Sequence, residues 1–175
     1  MDRQAFLKKS LSACAACGIV SVPVARGQDP PKPEDAAASF REAWVKNFLK
    51  NLDAELDGTG RSRFMESCGR DCARNGAVKM AESFKGDLDG MVAAMSGHLG
   101  KDNIVREGNR VVLKYPECYC PMVSKIRDKL SDTWCNCSRG WVLEMFETVT
   151  GKPVQATLVS SIKRGDAVCR FDIDV

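Results

Sequence analysis

Ile104-Val105-Arg106-Glu107-Gly108-Asn109-Arg110-Val111-Val112-Leu113-Lys114-Tyr115 is where the chain changes its hydrophobic period. Before it, apolar residues recur every third or fourth position. Within it, two β-branched runs flank Gly108-Asn109, a pair suited to a tight turn, which predicts a β-hairpin. Further on, Val154 to Ile162 and Ala167 to Val175 read as two more strands, joined by Lys163-Arg164-Gly165-Asp166.

Upstream the reading is helical. Glu34 to Leu56 carries Ala37, Phe40, Trp44, Phe48, Leu52 and Leu56 at helical spacing, and Glu34 and Asp35 suit its N-terminal dipole. Gly58-Thr59-Gly60 is expected to end it. Arg61 to Arg74 predicts a second helix, with Phe64, Met65, Cys68 and Cys72 on or near one face, closed by Asn75-Gly76. Two shorter helical pieces are expected over 77–84 and 87–99. A further helix is expected over about 122–131, and another over Ser138 to Val149 with Trp141, Met145, Phe146 and Val149 inward, ended by Gly151-Lys152-Pro153. Helices first and strands mostly later predict an α+β fold: N-terminal helices packed on an antiparallel sheet, with a C-terminal β-hairpin.

Residues 1–27 read as a signal peptide. Arg3, Lys8 and Lys9 precede the small, apolar run Ser10 to Ala25, and Ala25-Arg26-Gly27 offers small residues for cleavage before Gln28. Asp2-Arg3-Gln4-Ala5-Phe6-Leu7-Lys8 resembles the twin-arginine export motif, with Gln4 in place of the second arginine, so the twin-arginine and general secretory routes both stay open. Residues 28–33 form a proline-rich spacer. The expectation is a protein exported to the periplasm or beyond, with one cysteine-rich domain over 34–175.

Charge narrows the partners. The first 27 residues hold four of the 26 basic residues and one of the 23 acidic ones, so the remainder carries 22 of each and is neutral. A neutral domain lacks the basic footprint of a nucleic-acid binder. No stretch after the leader is apolar for the roughly 18 residues a bilayer span requires.

Seven cysteines follow the leader: Cys68, Cys72, Cys118, Cys120, Cys135, Cys137 and Cys169. An odd number cannot all pair internally. Cys118-Tyr119-Cys120 and Cys135-Asn136-Cys137 could supply four thiolates to zinc, an iron–sulfur cluster or copper(I), with Cys169 as an additional ligand, since soft sulfur suits soft ions. Cys135 and Cys137 also precede the helix expected from Ser138, whose N-terminus would lower their pKa and make either one a candidate nucleophile. Disulfides in an oxidising compartment are the other reading of the same residues. Cys68 and Cys72, one helical turn apart, meet disulfide geometry poorly and read as core thiols. His98 is the only histidine, which leaves no second one for a multi-histidine metal site. Trp134, Trp141, Tyr115 and Tyr119 flank the cysteine loops and could wall a ligand pocket.

The C-terminal third, about residues 115–175, also carries a family pattern. Cys135-x-Cys137-x-x-Gly140-Trp141, a helix, Gly151-Lys152-Pro153-Val154, a strand, Ser161-Ile162-x-x-Gly165-Asp166 and Cys169-x-Phe171-x-Ile173 resemble the end of the vinyl-reductase-type (4VR) small-molecule-binding domains and of the L-2-amino-thiazoline-4-carboxylate hydrolase-like family. The resemblance implies an α+β ligand-binding fold with Cys135, Cys137 and Cys169 near the pocket. Ser161 stands where related domains often carry another cysteine. Three functions follow as expectations: an exported small-ligand- or metal-binding protein, a thiol-dependent or thiazoline-hydrolase-like enzyme, and a disulfide-stapled interaction domain.

Overall fold

The helix Asn136–Thr150 packs against the helices Gly58–Arg74, Ala77–Glu82 and Leu88–Leu99 and the strand Gln155–Ser160. It is the fifth helix, α5, of a computed structural model that describes residues 33–175. The expected leader, 1–27, and all of the spacer except Pro33 lie outside the described residues. Residues 33–175 make up one unit. In chain order they form α1 (Pro33–Glu55), α2 (Gly58–Arg74), α3 (Ala77–Glu82), α4 (Leu88–Leu99), β1 (Ile104–Glu107), β2 (Arg110–Tyr115), α5, β3 (Gln155–Ser160) and β4 (Cys169–Asp174). The expected α+β architecture and C-terminal hairpin are present.

The sheet is antiparallel throughout, in the order β1-β2-β4-β3. Its alternation is that of a one-sided sheet. Ile104, Val111, Leu113, Ala156, Phe171 and Ile173 are buried on one face. The opposite face carries ions: Asp172 accepts from both Arg110 and Arg170. Met145, Phe146 and Val149 of α5 and Met91 and Met95 of α4 complete the core over the apolar face.

The crossing of α2 with α5 depends on two glycines. A Cβ at Gly69 would stand 1.8 Å from the Cys137 carbonyl oxygen, and one at Gly140 would stand 2.0 Å from that of Glu66. Each helix therefore presents bare backbone to the other. Flanking the crossing, Arg70 forks onto Glu147 at 2.6 and 3.1 Å and also reaches Glu144 at 3.1 Å, while Arg74 pairs with Glu144 at 2.7 Å.

Several expected boundaries move, for local reasons. Gly58-Thr59-Gly60 does not end α1 but opens α2, because the Asp57 carboxylate caps it, accepting from Gly60 N–H at 2.6 Å. The strand expected to reach Ile162 stops at Ser160, where β3 bulges against β4 and a 3₁₀ turn, Ile162–Arg164, begins. Gly165, at φ +104°, closes that turn in a conformation that favours glycine. On α1 the inward row is Val45 and Leu49, with Phe48 and Leu52 half-buried; Phe40 and Trp44, part of the apolar spacing that marked the helix, are exposed, and the Trp44 ring stacks on Phe48 at 5.3 Å.

The helix expected over about 122–131 is absent. That segment is a run of turns without a helix. Val123, Ile126 and Leu130 are buried at helix-like spacing because successive turns feed them into one core with Val45, Leu49 and Met65. Their backbone finds partners elsewhere. Leu130 N–H donates to the Lys163 carbonyl at 2.8 Å, and the buried Lys163 ammonium donates to the carbonyls of Ile126 and Ser124.

Candidate functional site

The long loop from Pro116 to Thr133 is held at a few points. Cys120 offers its carbonyl to the N–H groups of Val123 and Ser124. Thr133 donates to the Asp53 carboxylate of α1 at 2.6 Å. Tyr119 packs edge-on against Tyr115 at the end of β2, 5.6 Å between rings, and Tyr115 packs edge-on against Phe171 of β4 at 5.9 Å. These anchors bring Cys118 and Cys120 against the start of α5 and the start of β4.

A cavity of about 650 Å³ results. Cys72, Cys118, Cys120, Cys135, Cys137 and Cys169 all line it. They come from four segments: α2, the long loop, the start of α5 and β4. All seven described cysteines are free thiols. Tyr115, Tyr119, Trp141, Phe84 and Phe171 supply aromatic wall, and His98 and Glu117 are among the few ionisable side chains that are not thiols. All five cysteines singled out from the C-x-C motifs and the C-terminal pattern therefore meet in one place. Trp134 does not join them; it is buried in the core beneath the loop.

The thiols are spread around the walls. Among the described residues, no group of three or more His, Cys, Asp or Glu side chains is arranged to hold a metal ion as it stands. Cys135 is the residue before the first turn of α5, yet its side chain makes no capping hydrogen bond to the helix, and its sulfur lies 2.9 Å from the Ser161 hydroxyl. Ser161 is fully buried and accepts from Lys163 N–H at 3.2 Å, which leaves its own proton free to point at sulfur. The next residue, Ile162, donates its N–H to Cys169 Sγ at 3.4 Å.

The expectation of acidified thiols at a helix N-terminus is corrected. Burial pushes Cys135 up to about 11, against a smaller lowering by Ser161. Burial pushes Cys137 up to about 12, with the neighbouring cysteines Cys120, Cys72 and Cys68 raising it further. Burial also raises Cys118. The reason is general: an apolar surrounding penalises the charged form of a buried thiol.

Cys68 and Cys72 are also corrected. They are exposed, not core, because the row of α2 that packs inward is Met65, Gly69 and Ala73. Cys72 belongs to the cavity, a role the sequence reading missed; its one visible signal was the four-residue spacing that lets two helical side chains share a face. Lys163 was missed as well, since nothing in its local sequence shows that it contacts carbonyls far along the chain; Ser161, singled out as standing at a position where related domains carry a cysteine, here meets a cysteine instead.

The model of a family of unknown function, DUF6144, matches residues 22–175. The chain belongs to DUF6144. No curated protein matches it. In this DUF6144 chain the match covers the whole of the described cavity, so the thiols, the aromatic wall and the elements that carry them all lie within the family's extent. Among the described residues no helix is long and apolar enough to cross a membrane.

Proposed function

We propose that this protein binds a thiophilic ligand, a soft metal centre of zinc, copper(I) or iron–sulfur type, in the cysteine-lined cavity, and that it works outside the cytoplasm. One observation carries the reading: six cysteines from four segments line a single cavity. Ordinary ligand pockets are mainly hydrophobic with a few placed polar groups. Thiols in this number suit ions that prefer sulfur. Because Cys135 and Cys137 are protonated at neutral pH in the free protein, binding would release their protons, and affinity should rise with pH.

Elemental analysis tests the reading directly. Protein purified anaerobically from its native host should carry zinc, iron or copper in stoichiometric amount. Metal-free protein that also takes up none of these ions on reconstitution would rule it out. N-terminal sequencing of the mature protein tests the location, with a start near Gln28 expected; an intact Met1 chain in the cytosol would refute export.

A second reading is a compact organic ligand, as the 4VR-type resemblance implies. The volume favours it, since about 650 Å³ lies within the roughly 300–1,000 Å³ of small-molecule sites, and the wall is aromatic. Mass spectrometry of the native protein under non-denaturing conditions distinguishes an organic mass from a metal one. The thiol-enzyme reading has less behind it: buried thiols with raised pKa values are poor nucleophiles near neutrality.

A further inference from the structure

The cavity is far larger than an ion needs. Zinc reaches a sulfur ligand at about 2.3 Å, whereas the cavity measures about 650 Å³. Its sheet-side wall is continuous with the main core. Phe84, Met95, Leu99, Leu158 and Phe171 all pack in that cluster, and Cys169 is the one thiol with them among the described residues.

The charge around the cavity is as informative as its size. None of the described residues that line it is a lysine or an arginine. Glu117 and His98 do line it, but both are exposed, which puts them at its mouth and not in its interior. Basic groups on the turn after Ser161 are committed to the long loop instead: Lys163 donates to the carbonyls of Ile126 and Ser124, and Arg164 pairs with Asp132 at 3.3 Å. The start of α5 offers no open seat for an anion either. Three of its first four N–H groups already have acceptors: Asn136 donates to Thr133 at 3.2 Å, Cys137 to Trp134 at 3.0 Å and Arg139 to Cys135 at 3.2 Å. Beside the thiols, the polar side chains of the lining include the hydroxyls of Tyr115, Tyr119 and Ser138. Burial raises the Tyr115 phenol above its usual range, which keeps it un-ionised.

We infer that the cavity takes an uncharged, largely apolar organic molecule and refuses carboxylates, sulfonates and phosphates. The inference rests on the organic-ligand reading above and adds the chemical class of the ligand. An apolar molecule gains by leaving water for these walls. An anion in the same place gives up its hydration and meets neither a cation nor an open cluster of N–H donors. A single hydroxyl or carbonyl on the ligand is accommodated, because the hydroxyls of the wall can bond it.

The test uses two probes that differ by one charge. N-phenyl-1-naphthylamine is uncharged at neutral pH, and 8-anilino-1-naphthalenesulfonate is the same ring system with a sulfonate added. Each brightens on leaving water, and each is titrated into the reduced full chain. The uncharged probe should saturate at one equivalent, and the sulfonate should bind at least about 100-fold more weakly. Cys72→Arg, at an exposed position on the cavity wall where the circular dichroism should not change, sets a cation beside the probe. It should strengthen sulfonate binding by about tenfold or more and leave the uncharged probe nearly unaffected. Similar affinities for the two probes would overturn the charge selection, and so would a Cys72→Arg variant that binds both as its parent does. Native mass spectrometry of protein from its native host separates that failure from failure of the reading beneath it. A retained uncharged organic mass would support the inference. A retained mass bearing a carboxylate or phosphate would overturn it and leave the organic-ligand reading standing. No organic mass, together with no binding of either probe, would overturn both.

Discussion

Phe171 and Lys163 lie a short way apart in the chain and belong to two cores built by different means. Phe171 is in the sheet-side core, where β2, β4, α4 and α5 bury a continuous apolar layer. Lys163 clamps the loop-side core, where α1, α2 and the segment after Pro116 meet. The first core is held by area: many methyl and methylene groups, each replaceable at modest cost. The second packs two helices against a segment without regular structure, and that segment is held by point contacts, among them Lys163 on Ile126, Thr133 on Asp53 and Cys135 on Ser161. The cavity lies along the boundary between them. The sheet side supplies one wall and the loop after Pro116 supplies the other.

The hinge of that comparison is the α2–α5 crossing, and breaking it should do the most damage. Gly140→Ala or Gly69→Ala forces a methyl group into a backbone carbonyl, so the helices must separate. A loss of about 4 kcal/mol or failure to fold is expected, measured by urea denaturation. A loss under about 1 kcal/mol would mean that the crossing relaxes easily and that the two cores are less firmly joined than their geometry indicates.

Next in size comes the contrast between the cores themselves. Phe171→Ala empties a fully buried site and should cost about 3–5 kcal/mol of global stability. Lys163→Met leaves two loop carbonyls without their donor and should cost only about 1–2 kcal/mol. Hydrogen exchange separates them further: Phe171→Ala should speed exchange throughout the sheet, whereas Lys163→Met should speed it mainly at loop amides such as Leu130. Equal effects on both regions would show a single cooperative core.

The two cores also differ in what alkaline pH does to them. Cys135 and Cys137 ionise near 9 when exposed but only at about 11 and 12 when folded. From pH 9 upward the unfolded chain sheds these protons first, so their contribution to stability is complete below pH 9 and is lost as pH rises toward 12. Melting temperature under reducing conditions should therefore fall across that window, and Cys137→Ser should flatten the fall. An unchanged slope would mean that Cys137 is already solvated.

Much of the sheet-side region was legible because its cause is local. The Gly108-Asn109 hairpin appears where its alternation indicated, with β1 and β2 bounded as expected, and α5 ends at Gly151 in the left-handed conformation that glycine permits. The loop-side region misled for the opposite reason. Val123, Ile126 and Leu130 have a helix's spacing, but their backbone partners lie at Lys163, far along the chain, and those partners favoured turns. Cys68 and Cys72 were misread as buried because periodicity marks a face without saying which neighbour will cover it.

By itself the sequence determined the fold class, the hairpins, most helix positions and the five cysteines of the C-x-C and C-terminal motifs as a common site. Hydrophobic period, turn residues and motif spacing are properties of neighbouring positions, so they survive in one dimension. Only the tertiary structure decided that Cys72 joins those five and that burial raises the pKa of Cys135 and Cys137. Those facts depend on where α2 crosses α5 and on which segments close the cavity, and the desolvation that governs a buried thiol exists only once distant parts of the chain have enclosed it.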